Sequence, residues 1–309
     1  MRAREDAVLT PANARLLQHV AAALEPAGVT GPLRVTGSAP GGCIHESIRV
    51  QTADGSRLFL KTNSAARADL FVQEAAGLEH LRVAGGPRIP EVLGTGVGAA
   101  RAWLALEHIE LQSRGDPAAF GHALARLHGC SAGAFGAAQD NYIGTTAQPN
   151  GWYGDWAEFW RERRLGHQLE LAERDNHRHL AERGRWLAEH LDPLLTEHRP
   201  QPSTLHGDLW AGNAAYDESG CGVLFDPAFY YGDRETDIAM TELFGGFPSE
   251  FYAAYREAWP LDHGYTLRRE VYNLYHVLNH AHLFGGAYVQ SAERMIERLL
   301  AELGVGSGK

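Results

Sequence analysis

LHGDLWAGNAAYDESGCGVLFDPA, residues 205–228, decides how this chain is read. The segment from Asn213 onward reads as a hairpin whose second strand, VLF, ends at Asp226 and is closed off by Pro227. A hairpin brings its two ends together, so Asn213 and Asp226 are expected side by side, with Asp208 just upstream. One carboxylate, one amide oxygen and a second carboxylate would then converge at the edge of a short ribbon. Hard oxygen ligands of this kind suit Mg2+ shared with substrate phosphates. Either Asp208 or Asn213 in isolation would say no more than a capped turn.

The rest of the chain sets the frame around that stretch. With 309 residues, 44% hydrophobic and 21% charged, it is long enough for one large domain or two lobes. A formal net charge of -10 leaves no basic footprint for nucleic acid. No apolar run approaches the roughly 18 residues of a membrane span, and the charged start MRARED lacks the apolar segment of a secretory signal. The expectation is a cytoplasmic protein, monomer or dimer, with no nucleic-acid or membrane partner. Cys43, Cys130 and Cys221 are widely spaced and show no CxxC pattern, which argues for reduced thiols over a disulfide framework or structural zinc.

Apolar spacing predicts a helix from Pro11 to about Leu24 and another over 66–82. RVTGS, ESIRVQT and RLFLKT alternate as strands of an antiparallel meander, and PEVLGTGV and RAWLALEHI are strand-like. After residue 110 the patterns turn helical, at 117–129, 152–174, 178–197 and 268–302, around one strand-rich island at 203–232. The division is therefore a β-rich part over 1–107, a connector at 108–113 and a mainly helical part over 114–309, an α+β fold of two lobes.

The β-rich part holds a second set of chemical groups. Lys61 ends the run RLFLK and Glu74 lies on the next helix, the order and distance of the strand lysine that contacts phosphates and the helix glutamate that holds it in kinases. GSAPGGC, with Gly41 and Gly42, can form a turn over phosphates, because glycines let backbone N–H groups approach an anion. Glu107 and Ile109, on the strand leaving this part, are placed for their backbone groups to meet an adenine edge. With these pieces, the spacing of Asp208 and Asn213 reads as phosphoryl transfer: Asp208 faces an acceptor hydroxyl while Asn213 faces the metal.

HGDLW beside DPAFYYGDRETDIAMTELFGGF (226–247), together with GGCI (41–44), FVQEAAGL (71–78) and NYIGTTAQPNGWYGDWAEFWRERRL (141–165), resembles the fructosamine kinase (ketosamine-3-kinase) family, within the aminoglycoside phosphotransferase-like kinases. Trp210 separates this family from general HGDxxxxN enzymes. The resemblance spans nearly the whole chain. It implies a bilobal protein-kinase-like fold and phosphorylation of the 3-hydroxyl of ketosamines, free or protein-bound, using ATP and Mg2+. Position by position it implies Asp208 as catalytic base, Asn213 and Asp226 as Mg2+ ligands, Lys61 on phosphate, Glu74 positioning that lysine and Asp237 bracing the catalytic loop.

For the acceptor, the polar loop residues Asn141, Gln148 and Asn150 are candidates alongside Trp210. The aromatic set Trp152, Tyr153, Trp156, Phe159 and Trp160 reads as core at helical spacing. His276 and His280, four residues apart, lack a third ligand and read as helix packing. Two other functions fit parts of the pattern: phosphotransfer to an aminoglycoside or other amino alcohol, which HGDLW and the 226–247 string disfavour, and a nucleotide-binding pseudokinase, which would not need a base at Asp208.

Overall fold

In the computed structural model, which describes residues 11–38 and 45–305, the chain opens with helix α1 (Pro11–Leu24). Leu16, Leu17, Val20 and Leu24 lie along one side of it and are buried, as the helical spacing requires. Five strands follow: β1 (Arg34–Ser38), β2 (Glu46–Gln51), β3 (Arg57–Ser64), β4 (Val92–Gly98) and β5 (Arg101–Glu107). Helix α2 (Ala68–Leu81) lies between β3 and β4. Every pairing is antiparallel, in the spatial order β1-β2-β3-β5-β4. The expected meander is thus interrupted after β3. Ala102 to Leu106 of β5 are all buried whereas Val97 of β4 is exposed, so the more apolar strand takes the interior place and β4 the edge.

Side-chain alternation divides this sheet between two cores. On β5, Trp103 and Ala105 pack with α1, while Ala102, Leu104 and Leu106 join Phe71, Leu78 and Leu81 of α2. On β3, Leu58 and Leu60 belong to the α1 side. Lys61, one residue out of phase with them, faces the α2 side.

After Glu107, residues 108–110 are neither helix nor strand, and Gln112 exchanges two backbone hydrogen bonds with Tyr216 at 2.7 and 3.0 Å. The helical part then begins with α3 (Pro117–Gly129), capped by Asp116, whose carboxylate accepts from the Ala119 amide at 2.9 Å. Short strands β6 (Phe135–Ala137), β7 (Asn141–Ile143), β8 (Thr146–Gln148) and β9 (Gly151–Tyr153) follow. Next come α4 (Trp156–Phe159), α5 (His167–Arg174), α6 (Arg178–Ala188) and α7 (Asp192–Leu195). The strand-rich island supplies β10 (Ser203–Leu205), β11 (Ala214–Tyr216), β12 (Gly222–Leu224) and β13 (Tyr230–Gly232). The chain closes with α8 (Glu235–Leu243), α9 (Ser249–Ala258), α10 (Tyr265–Phe284) and α11 (Ala287–Glu302).

Strands β10, β13, β6 and β9 form one sheet, in that order, and β11 with β12 is the expected hairpin. Helix α10 is the spine of this part, with Val271 through Asn279 all buried.

Three predicted helices are corrected. The stretch 152–174 starts inside β9, and α4 passes into α5 through a wider turn at Trp160–Gly166. The stretch 178–197 breaks between α6 and α7. The stretch 268–302 breaks at Gly285 and Gly286, with φ of 62° and 59°, a left-handed corner that glycine tolerates. No described helix is long and apolar enough to cross a membrane.

Candidate active site

Strand β10 leads into the loop that carries His206, Gly207 and Asp208. Immediately after Leu205, Gly207 has φ of 81°, and a Cβ there would lie 2.1 Å from the Ala228 carbonyl oxygen. Only glycine lets the loop pass so close to the following segment. The loop is clamped from α8: the His206 and Gly207 amides donate to the two carboxylate oxygens of Asp237, at 2.7 and 2.9 Å. His128 of α3 reaches the same carboxylate at 3.2 Å and meets the Tyr255 hydroxyl at 2.7 Å through its other nitrogen. Burial opposes the negative charge on Asp237, but these bonds outweigh it and hold the carboxyl below its ordinary range. Asp237 therefore braces the loop and does not cap its own helix.

The hairpin does what its sequence promises. Ala214 pairs with Leu224, and the Phe225 amide donates to the Asn213 carbonyl at 3.2 Å, so the residues flanking the ribbon, Asn213 and Asp226, are neighbours. The Asn213 side-chain amide donates to both the backbone carbonyl and Oδ2 of Asp208, at 2.9 and 3.0 Å. Among the described residues that leaves its amide oxygen as the uncommitted atom. Burial raises the Asp208 carboxyl to about 7, the Asn213 bond pulls it back, and the carboxylates of Asp226 and Asp237 add to the rise. Asp226 has φ of 59°, a left-handed conformation that costs an L-residue about 1–2 kcal/mol. Strain of this kind collects at functional sites.

Lys61 reaches across from β3. Its ammonium pairs with Glu74 of α2 at 2.6 Å and with the Asp226 carboxylate on the opposite side of the cleft. Burial works against the lysine charge, but the two carboxylates prevail and keep Lys61 protonated above its ordinary value. One Asp226 oxygen is engaged by Lys61, and the other has no hydrogen-bond partner among the described residues. His45, its ring tilted against Phe71 at 4.8 Å, borders the same site and is held neutral at about 4, first by burial and then by Lys61.

These groups line a single cleft of about 440 Å3, to which Lys61, Glu74, Asp208, Asn213 and Asp226 contribute polar groups and Trp210, Phe244, Phe284 and Tyr288 apolar surface. Its lining sets the buried Lys61 ammonium beside the carboxylates of Glu74, Asp208 and Asp226 and the Asn213 amide. The Asn213 amide oxygen and the free Asp226 oxygen form the donor set that Mg2+ prefers, so the residues present fit the metal.

The other sequence candidates fall in different places. Asn141 reaches the cleft, but its amide donates to the Phe229 carbonyl at 2.6 Å and its oxygen accepts from Gln148 and Asn150 at 2.9 and 3.1 Å. Gln148 also donates to the Ala228 carbonyl and accepts from the Tyr275 hydroxyl, while the Asn150 oxygen accepts from Arg164. Of the three acceptor candidates, Asn141 lines the cleft, whereas Gln148 and Asn150 lie behind it. All are buried; Asn141 and Gln148 hold the segment after Asp226 in place, and Asn150 ties Asn141 to the Gln139 carbonyl and Arg164.

Glu107 donates its backbone N–H to the Glu91 carbonyl at 2.8 Å, which removes that donor from any nucleotide contact. Neither Glu107 nor Ile109 lines the cleft. Gly41 and Gly42 lie outside the described residues, as does Cys43. Trp156, Phe159 and Trp160 belong to the core, whereas Trp152 is exposed on β9 and stacks on Tyr231.

Sequence reasoning missed His128, Tyr255 and Arg164. Arg164 is fully buried with its guanidinium 3.9 Å from the centre of the Tyr230 ring. No local signal in WRERRLG (160–166) marks Arg164 apart from its charged neighbours.

The sequence profile of the fructosamine kinase family, described as fructosamine kinase, matches residues 18–302. The chain belongs to that family. An Arabidopsis thaliana protein named protein-ribulosamine 3-kinase, chloroplastic, is 41% identical over 273 residues, covering 86% of this chain and 83% of the relative. A Synechocystis protein with a provisional ketoamine kinase name is 43% identical over 273 residues, covering 85% and 89%.

Among solved structures, a Thermobifida fusca protein provisionally named a fructosamine-3-kinase superposes with a TM-score of 0.80 at 32% identity, covering 91% of this chain and 98% of that one. An aminoglycoside phosphotransferase solved with ADP and hygromycin B superposes with a TM-score of 0.58 at 17% identity, covering 95% and 99%. At that identity the likeness concerns the fold alone, and the fold of this fructosamine kinase family member is the bilobal, kinase-like α+β fold.

Proposed function

We propose that this chain transfers the γ-phosphoryl group of ATP to the 3-hydroxyl of ketosamines, the adducts of sugars with amines. The observation that carries the reading is the meeting of the Lys61–Glu74 pair with Asp208, Asn213 and Asp226 around one cleft. In this proposal residues up to 107 cover the nucleotide, 108–113 connect and 114 onward carry the chemistry. The names of the relatives, ribulosamine and ketoamine kinases, support the acceptor class.

The residues divide the work by charge and position. Lys61, held by Glu74, meets phosphate oxygens and leaves Asp226 free to take a metal. Asn213 and Asp226 would hold Mg2+, which when bound supplies positive charge against the developing charge on the phosphates. Asp208 orients the acceptor hydroxyl and takes its proton as the new O–P bond forms and ADP departs with the electrons of the broken one. The transition state is loose, so orientation by Asp208 contributes more than early proton abstraction.

A phosphate on carbon three, next to the ketone carbon, becomes a leaving group once the adduct enolises, so the product falls apart. Deglycation of metabolites or protein lysines in the cytoplasm is the role this chemistry serves. Against an aminoglycoside acceptor stands the lining of the cleft: among the described residues its only carboxylates are Glu74, Asp208 and Asp226, all with other assignments, which leaves none for a polycation.

The test is incubation with Mg-ATP and a panel of ribulose-, erythrulose- and fructose-amines plus aminoglycosides, with the new phosphate located by NMR. Label on the 3-hydroxyl of a ketosamine is expected; label confined to an aminoglycoside refutes the acceptor. Asp208→Asn should abolish turnover while sparing Mg-ATP binding, and a variant at wild-type rate would remove the base from Asp208.

A further inference from the structure

Among the described residues, Asp208 is held on one side only. Its Oδ2 accepts from Asn213 at 3.0 Å, whereas Oδ1 has as its nearest cation-capable neighbour Nδ1 of His276, 4.0 Å away. His276 sits on α10, is 3% exposed, and its Nδ1 has no hydrogen-bond partner among the described residues. Buried polar atoms are nearly always paired, and an apolar side chain would fill the same space without leaving a donor or acceptor unmatched. The orphan nitrogen therefore needs a reason.

We infer that His276 is a positioning residue for the reaction, its Nδ1–H closing on Asp208 Oδ1 and aiming the carboxylate at the acceptor hydroxyl. This rests on the reading of Asp208 as the base. A closure of about 1 Å brings the pair into hydrogen-bond range. The ring is neutral: burial, then His280 and Arg164, push its pKa down against Asp237, to about 3. A neutral imidazole carries one proton, and a carboxylate beside Nδ1 selects the tautomer that places it there. Its backbone carbonyl is occupied separately, by Nδ1 of His280 at 2.8 Å. His276 thus joins α10, the buried spine of the helical part, to the reacting centre.

Three measurements on the full chain test this. With Mg-ATP and a ribulosamine, His276→Leu should lower kcat about 10- to 100-fold while the KM for ATP stays within about twofold, the scale of a small misplacement of a catalytic group. His276→Asn puts an amide N–H where Nδ1 stands and should recover kcat to within about fivefold of wild type. Nitrogen NMR of histidine-labelled wild-type protein should show the His276 proton on Nδ1, with its signal shifted in Asp208→Ala. A wild-type rate for His276→Leu overturns the inference, as do folded Leu and Asn variants that are equally slow. Should His276→Leu not fold, the tautomer decides: a proton on Nε2 alone overturns it. If Asp208→Asn also turns over normally, the base reading itself has failed; if Asp208 is essential and His276 indifferent, only this inference has.

Discussion

Replacing Asp237 by asparagine probes how the catalytic loop is held. The carboxylate accepts from the His206 amide at 2.7 Å and the Gly207 amide at 2.9 Å, and touches His128 at 3.2 Å, all in a site where the side chain is 1% exposed. An asparagine keeps one acceptor oxygen and presents an NH2 where the other stood, so at least one backbone donor loses its partner and faces another donor. A buried hydrogen bond to a charged group contributes about 1.5–3 kcal/mol, and an unmatched buried donor costs about 1–3 kcal/mol.

The expected loss is therefore about 3–5 kcal/mol, read as a lower urea midpoint at unchanged slope. Because the same bonds place Asp208, kcat should fall about 10- to 100-fold with the KM for ATP little changed. The pH sign follows from the depressed carboxyl: its stabilisation is present above the unfolded pKa of about 3.9 and is lost as pH falls through the lower folded value, so the gap between wild type and variant narrows only in strong acid. A variant within 1 kcal/mol of wild type that turns over normally would refute the clamp.

Lys61→Met should lower kcat/KM about 10²- to 10³-fold and destabilise the protein by about 3 kcal/mol through the uncompensated Glu74 charge. The Asp226 share is smaller, since that side chain is 42% exposed; kinetics and thermal unfolding check both, and an unchanged KM for ATP with full activity would contradict the phosphate contact. His198 pairs with Asp233 at 2.7 Å and Asp262 at 3.2 Å. Burial alone would lower its pKa, but the hydrogen bond and charge of Asp233 raise it above 6.5. The stabilisation is full below pH 6.5 and fades as pH rises through the folded value, so the stability lost by His198→Gln should be larger at pH 6 than at pH 9. A gap that grows with pH would reverse the assignment.

Sequence by itself determined the elements whose signals are local. Apolar spacing marked α1 and α2, alternation marked β1 to β3, and the closed hairpin after HGDLWAGN placed Asn213 beside Asp226, because a short turn leaves its ends no other arrangement.

What depended on distant chain segments was decided only in three dimensions. Strands of three residues, such as β7 and β8, are too short to show a period, so Asn141, Gln148 and Asn150 looked like free polar loop residues when they are buried supports. The clamp of His128 and Asp237 spans 109 residues, and no spacing rule reaches that far. His276 read as one more buried helix residue until folding set it against Asp208. Hydrogen bonds act over about 3 Å, so the partner of a side chain is known only when the fold has chosen which surfaces meet.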